Sequence, residues 1–122
     1  MFLLLVMAGG AIGAGARHLT GRAAMALLGP GYPYGTLAVN IAGGLLMGLL
    51  AGALARDGAG EGWRMFAGVG VLGGFTTFSA FSLDAVTLFE RGAALAAGYV
   101  LLSVLGSIAA LVAGLALARA VA

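Results

Sequence analysis

Long apolar runs separated by short polar links make up almost the whole chain. Charges fall at Arg17, Arg22, Arg56, Asp57, Glu61, Arg64, Asp84, Glu90, Arg91 and Arg119. A helix needs about 20 apolar residues to cross the hydrocarbon core of a bilayer. The runs predict four spans, at 2–26, 34–55, 63–89 and 92–118, within a single four-helix transmembrane domain covering residues 1–122. Gly29-Pro30-Gly31-Tyr32-Pro33 separates the first pair, because proline lacks an amide donor and disfavours helix in the residue before it. The link 56–62 reads as a water-exposed loop, and Glu90-Arg91-Gly92 separates the last two spans. Tyr32, Tyr34 and Trp63 sit at span ends, where amphipathic rings act as interface anchors.

Composition supports this reading. The chain is 62% hydrophobic and 8% charged, against about 25% charged residues in soluble domains, and its mean hydropathy is +1.13. The first span lacks a basic start and an obvious cleavage signal, so it is expected to be retained rather than removed as a signal peptide. With no cysteine there are no disulfides and no thiolate metal ligands. The formal charge of +2 is carried by dispersed arginines, whereas nucleic-acid binding calls for clustered basic residues.

Arginine placement bears on topology. If both termini share one side, Arg17, Arg22 and Arg91 lie on the opposite side and Arg56, Arg64 and Arg119 on the side of the termini. The acids divide evenly as well, Asp84 and Glu90 against Asp57 and Glu61. Orientation normally follows an excess of Lys and Arg in the cytoplasmic loops. A tie leads to the expectation of dual topology, with copies inserted both ways and paired antiparallel as a homodimer. Glycines four apart, at Gly44, Gly48 and Gly52, at Gly9 and Gly13, and at Gly70 and Gly74, suit close helix contacts. Their spacing admits packing within one subunit as readily as packing between two.

Two polar clusters interrupt the apolar spans. Thr36 and Asn40 lie one turn apart on the second span and share a face with Gly44. In the third span, residues 73–82 read Gly-Gly-Phe-Thr-Thr-Phe-Ser-Ala-Phe-Ser. Two glycines followed by two threonines weaken the helix, and a break would free backbone groups that protein, water or an ion must meet. Phe75, Phe78 and Phe81 recur every third residue, with Ser79 and Ser82 on a neighbouring stripe. Taken alone, each cluster is also consistent with ordinary packing, in which Asn40 bonds a neighbouring helix and the hydroxyls bond back to their own. No carboxylate pair or histidine lies at mid-membrane, and no nucleophile has an evident base, which argues against catalysis. Hydroxyl and amide donors with the positive edges of aromatic rings are ligands for an anion. A lining without fixed positive charge holds an anion without trapping it.

The stretches Gly9-Gly10-Ala11-Ile12-Gly13-Ala14-Gly15-Ala16-Arg17, Gly35-Thr36-Leu37-Ala38-Val39-Asn40-Ile41-Ala42-Gly43 and Gly73 through Ser82 together resemble the Fluc (CrcB-type) fluoride channels of microbes. The resemblance covers nearly the whole chain. It implies an all-α membrane protein with a break in the third helix, assembled as an antiparallel dual-topology homodimer in the cell (inner) membrane. Two pores would export fluoride passively. By position, Asn40 resembles the pore asparagine and Phe78 and Phe81 the paired pore phenyls, while Ser79, Ser82 and Thr36 resemble hydroxyls of the anion path. Tyr99 and Ser103 resemble pore-facing residues of the fourth helix. Gly73 and Thr76 resemble residues whose carbonyls hold a structural sodium ion at the dimer centre. Arg17 resembles the family's arginine near the end of the first helix, expected either to attract anions or, as the favoured role, to support the structure by holding a loop. Ala80 stands where the family usually has threonine, and Asp84 where it usually has glutamate; the latter is expected either to bias a pore mouth or to pair with an arginine. The rival reading, a small multidrug-resistance-type proton-coupled exporter, calls for a glutamate in the first span, and this chain has none there.

Overall fold

A computed structural model describes residues 2–57 and 60–121. The expected loop at 56–62 lies partly outside the described residues, at positions 58 and 59 and at the side chains of Arg56 and Asp57. The elements are α1 (Phe2–Leu28), α2 (Tyr34–Asp57), α3 (Glu61–Trp63), a π-helical stretch (Arg64–Leu72), α4 (Gly73–Phe75), α5 (Phe78–Arg91) and α6 (Ala93–Ala120). No strand occurs among the described residues. α3 through α5 form one span, so four helical segments are long and apolar enough to cross a membrane.

Local chemistry sets the turns. Gly29 ends α1 at φ +83, donating its amide to the Met25 carbonyl at 3.0 Å; glycine adopts this left-handed conformation without the steric cost of a Cβ. Pro33 then starts α2, its carbonyl accepting from the Leu37 amide at 3.2 Å. At the other end of the molecule Glu61 and Arg64 form an ion pair at the start of the third span.

Glycine stripes decide which helices meet. A Cβ on Gly44 would stand 2.6 Å from the Ser107 carbonyl oxygen, and Gly48 and Gly114 seat against the Leu111 and Leu45 carbonyls in the same way. α2 and α6 are thus pressed backbone to backbone. Gly9 and Gly13 do the same against Phe66 and Val71 of the π-helical stretch, and a Cβ on Gly74 would stand 2.7 Å from the Gly10 carbonyl oxygen. The glycine series therefore packs helices within one protomer, one of the two uses its spacing allowed. Outward, the helices present leucines such as Leu3, Leu27 and Leu83, a surface suited to lipid rather than to water.

Candidate functional site at the broken third helix

The break lies at Thr76 and Thr77, which adopt extended conformations between α4 and α5. Gly73 and Gly74, where the sequence placed the onset of the break, remain helical. They stay in the helix because Gly74 is committed to close contact with α1, while replacement partners exist for the threonines. Thr76 keeps both its amide and its Oγ1 on the Leu72 carbonyl, each at 3.0 Å. The Thr77 amide donates to Asn40 Oδ1 at 2.9 Å, and Asn40 Nδ2 donates to the Thr77 carbonyl at 3.0 Å. A carboxamide carries its donor and its acceptor on separate atoms, so Asn40 replaces the lost helical partner of the Thr77 amide and adds a second donor at the Thr77 carbonyl. Thr77 Oγ1 then accepts from the Ala80 amide at 3.1 Å and caps α5.

These substitutions leave two carbonyls without their usual partners. In a continuous helix the Thr77 amide would bond the Gly73 carbonyl and the Ala80 amide the Thr76 carbonyl. Both amides are committed elsewhere. Arg17, half-buried on α1, donates Nε to the Gly74 carbonyl at 3.1 Å and braces the same segment from the other side.

A cavity of about 410 Å³ opens beside the break, walled in part by Asn40, Thr76, Phe78, Phe81, Ser103 and Ser107. No residue lining it is charged. The rings of Phe78 and Phe81 lie 5.4 Å apart between centroids, tilted at 49°. Phe81 is buried, whereas Phe78 is 76% exposed on the protomer. Ser103 Oγ is buried in the cavity wall, outside normal hydrogen-bond geometry to any partner and close to the Tyr99 hydroxyl. Ser107 stands one turn beyond it, and the sequence reading passed over it; the spacing of Tyr99, Ser103 and Ser107 at intervals of four carried that signal.

Ser79, Ser82, Tyr99, Thr36 and Gly73 do not line this cavity. Ser82 Oγ donates to the Phe78 carbonyl of its own helix at 2.9 Å, and Ser79 Oγ lies 3.3 Å from Thr77 Oγ1; both serines are exposed on the protomer. Tyr99 is fully buried, and its hydroxyl donates to Asp84 Oδ2 at 3.3 Å. Asp84 is thus engaged by a phenol on the next helix. Thr36 lines a second cleft of about 550 Å³ together with Arg17, His18, Arg22, Thr77 and Ala80. A threonine at position 80 would place its hydroxyl in this basic cleft, which shares Thr77 with the first cavity. Gly73 faces a third, mostly apolar cavity between α2 and the π-helical stretch.

A broken span clasped by a half-buried carboxamide, beside an uncharged lining of hydroxyls and rings, defines a small multi-pass membrane protein with its polar site inside the bilayer span. Residues 4–115 match the family described as CrcB-like protein, Camphor Resistance (CrcB). A relative from Mesorhizobium japonicum, named fluoride-specific ion channel FluC, is 59% identical over 118 residues, covering 96% of this chain and 95% of its own length. Relatives of the same name from Phenylobacterium zucineum, 62% identical over 122 residues, and Sphingopyxis alaskensis, 59% over 119, cover 98% and 96% of this chain and 96% and 94% of their own lengths. The chain belongs to the CrcB family.

Proposed function

We propose that this protein is a fluoride-selective channel of the cell (inner) membrane that lets fluoride leave passively, and not an enzyme. The observation that carries the reading is the union of Asn40, the buried hydroxyl of Ser103 and the Phe78 and Phe81 rings around one uncharged cavity beside the helix break. Fluoride is small and strongly hydrated, so its barrier is the loss of water, and close amide, hydroxyl and ring-edge donors replace that water. The names of the relatives point the same way.

The functional unit in this reading is an antiparallel dual-topology homodimer with two pores. The balanced arginines support it, as does Phe78, whose 76% exposure on one protomer leaves a pore ring to be covered by a partner. The carbonyls of Gly73 and Thr76 fit the structural sodium site that the family resemblance implies, because the amides that would normally bond them are diverted to Asn40 and to Thr77 Oγ1. Hard cations take oxygen ligands. When bound, sodium would supply a fixed positive centre that satisfies these carbonyls. Asn40 and Thr77 hold the break open for it.

The small multidrug exporter is a separable alternative. Cells lacking their own fluoride export and carrying this chain should regain growth in fluoride and gain no resistance to cationic dyes. The opposite pattern would favour the exporter.

A further inference from the structure

The tyrosines at the α1–α2 turn carry a role that interface anchoring does not cover. Tyr32 meets the buried Tyr99 edge to face, with centroids 5.6 Å apart and planes at 88°. Tyr99 packs on Phe81 at 5.4 Å, and Phe81 on Phe78 at 5.4 Å. On the outer side Tyr34 packs on Tyr32 at 5.0 Å. Five rings thus run unbroken from a surface turn to the cavity at the helix break.

The turn is itself fixed to the site helices. Arg91, at the end of α5, donates Nη1 to the Gly31 carbonyl at 2.7 Å. Gly29 and Pro33 define the backbone on either side of Tyr32. Tyr32 also packs against the buried cluster of Phe81, Leu88, Ala96 and Tyr99. The Tyr99 ring is therefore pinned by Phe81 on one side, by the Tyr32 edge on another, and by Asp84 at its hydroxyl.

We propose that Tyr32, held by the Arg91 to Gly31 clamp, is a positioning residue for conduction that sets the tilt of Tyr99 and, through it, of Phe81. The inference rests on the channel reading given above. An edge-to-face contact fixes ring orientation as well as burying area, so removing the Tyr32 ring leaves space into which Tyr99 rotates. Rotation draws its hydroxyl from Asp84 and shifts the face that Phe81 packs on. The hydroxyl of Tyr32 has no part in this chain of contacts, and the ring alone carries it.

The test is fluoride efflux from liposomes holding at most about one protein each, which separates the fraction of vesicles that empty from the rate constant of those that do. A variant that merely misfolds lowers the fraction; a mispositioned pathway lowers the rate constant. Tyr32→Leu is expected to lower the rate constant about tenfold at an unchanged fraction, and Tyr32→Phe to stay within about twofold of the original. If Tyr32→Leu gives no monodisperse protein, Arg91→Ala, on an exposed residue, is expected to lower the rate constant about threefold. An unchanged rate constant in Tyr32→Leu or, in its place, in Arg91→Ala overturns the proposal, as does a fall in Tyr32→Phe equal to that in Tyr32→Leu. An unsubstituted protein that releases no fluoride overturns the channel reading and this inference with it, whereas a conducting protein indifferent to Tyr32 overturns the inference alone.

Discussion

Asn40 and Thr77 form a two-point pair across the break in the third span, amide to carbonyl at 3.0 Å and amide to carboxamide oxygen at 2.9 Å. Asn40→Asp keeps the size and the acceptor but loses the donor, and it introduces a negative charge beside an anion path. As the N-cap of α5 the Thr77 carbonyl keeps a donor from its own helix, so losing the Asn40 bond costs about 0.5–1.5 kcal/mol. Thermal unfolding in detergent should shift downward accordingly, and fluoride flux should fall by roughly tenfold or more. An Asn40→Asp protein with unchanged melting and flux would show that the pair holds nothing.

Phe78 and Phe81 separate stability from conduction. Phe81 is buried in the protomer and Phe78 is not. Phe81→Ala should therefore destabilise by about 3–5 kcal/mol, while Phe78→Ala should change protomer stability by roughly 0.5 kcal/mol or less. Both should depress fluoride flux, because both rings edge the same cavity. Melting curves and efflux rates measured on the two variants side by side check this.

Gly48 and Gly98 lie on α2 and α6 and should answer differently to alanine. Gly48 sits against the Leu111 carbonyl, whereas a Cβ on Gly98 meets nothing within 4 Å. Gly48→Ala should force α2 and α6 apart at a cost of about 1–3 kcal/mol. Gly98→Ala should be neutral or stabilise by up to about 1 kcal/mol through helix propensity. Detergent melting temperatures of the two variants give the comparison.

Ala80→Thr adds a hydroxyl to the cleft that already holds Thr36 and Arg17. It leaves the Ala80 amide free to cap on Thr77 Oγ1 as before. The fold should be unaffected and fluoride flux should rise, by less than about tenfold. A fall in the efflux rate would place Ala80 outside the anion path.

Much of the fold was legible because hydropathy dictates it. The four spans begin and end within two residues of the positions read from the apolar runs. The exact seat of the break was not legible, because it depends on a partner 37 residues away: Thr77 leaves the helix where Asn40 replaces its lost bonds. Gly73 and Gly74, which read as helix breakers, stay helical, and Gly74 serves as a contact surface for α1. The π-helical turns of Arg64–Leu72 had no local signal. Of the site, Asn40, Phe78, Phe81 and Ser103 were named from sequence and share one cavity wall. Tyr32 was read as an anchor, since its contact with Tyr99 joins residues far apart in the chain, which no periodicity reports.

Dual topology is read out by tagging both termini of every copy. Each copy should be found with both ends on one side, and the population should divide between the two sides. A single common side for all copies would contradict the antiparallel dimer.

The most direct measurement is ion release from liposomes carrying the purified protein, loaded with fluoride and chloride together and driven by a potassium gradient with an ionophore. Fluoride should leave rapidly while chloride stays behind. Equal release of the two ions, or release of neither, would contradict the account.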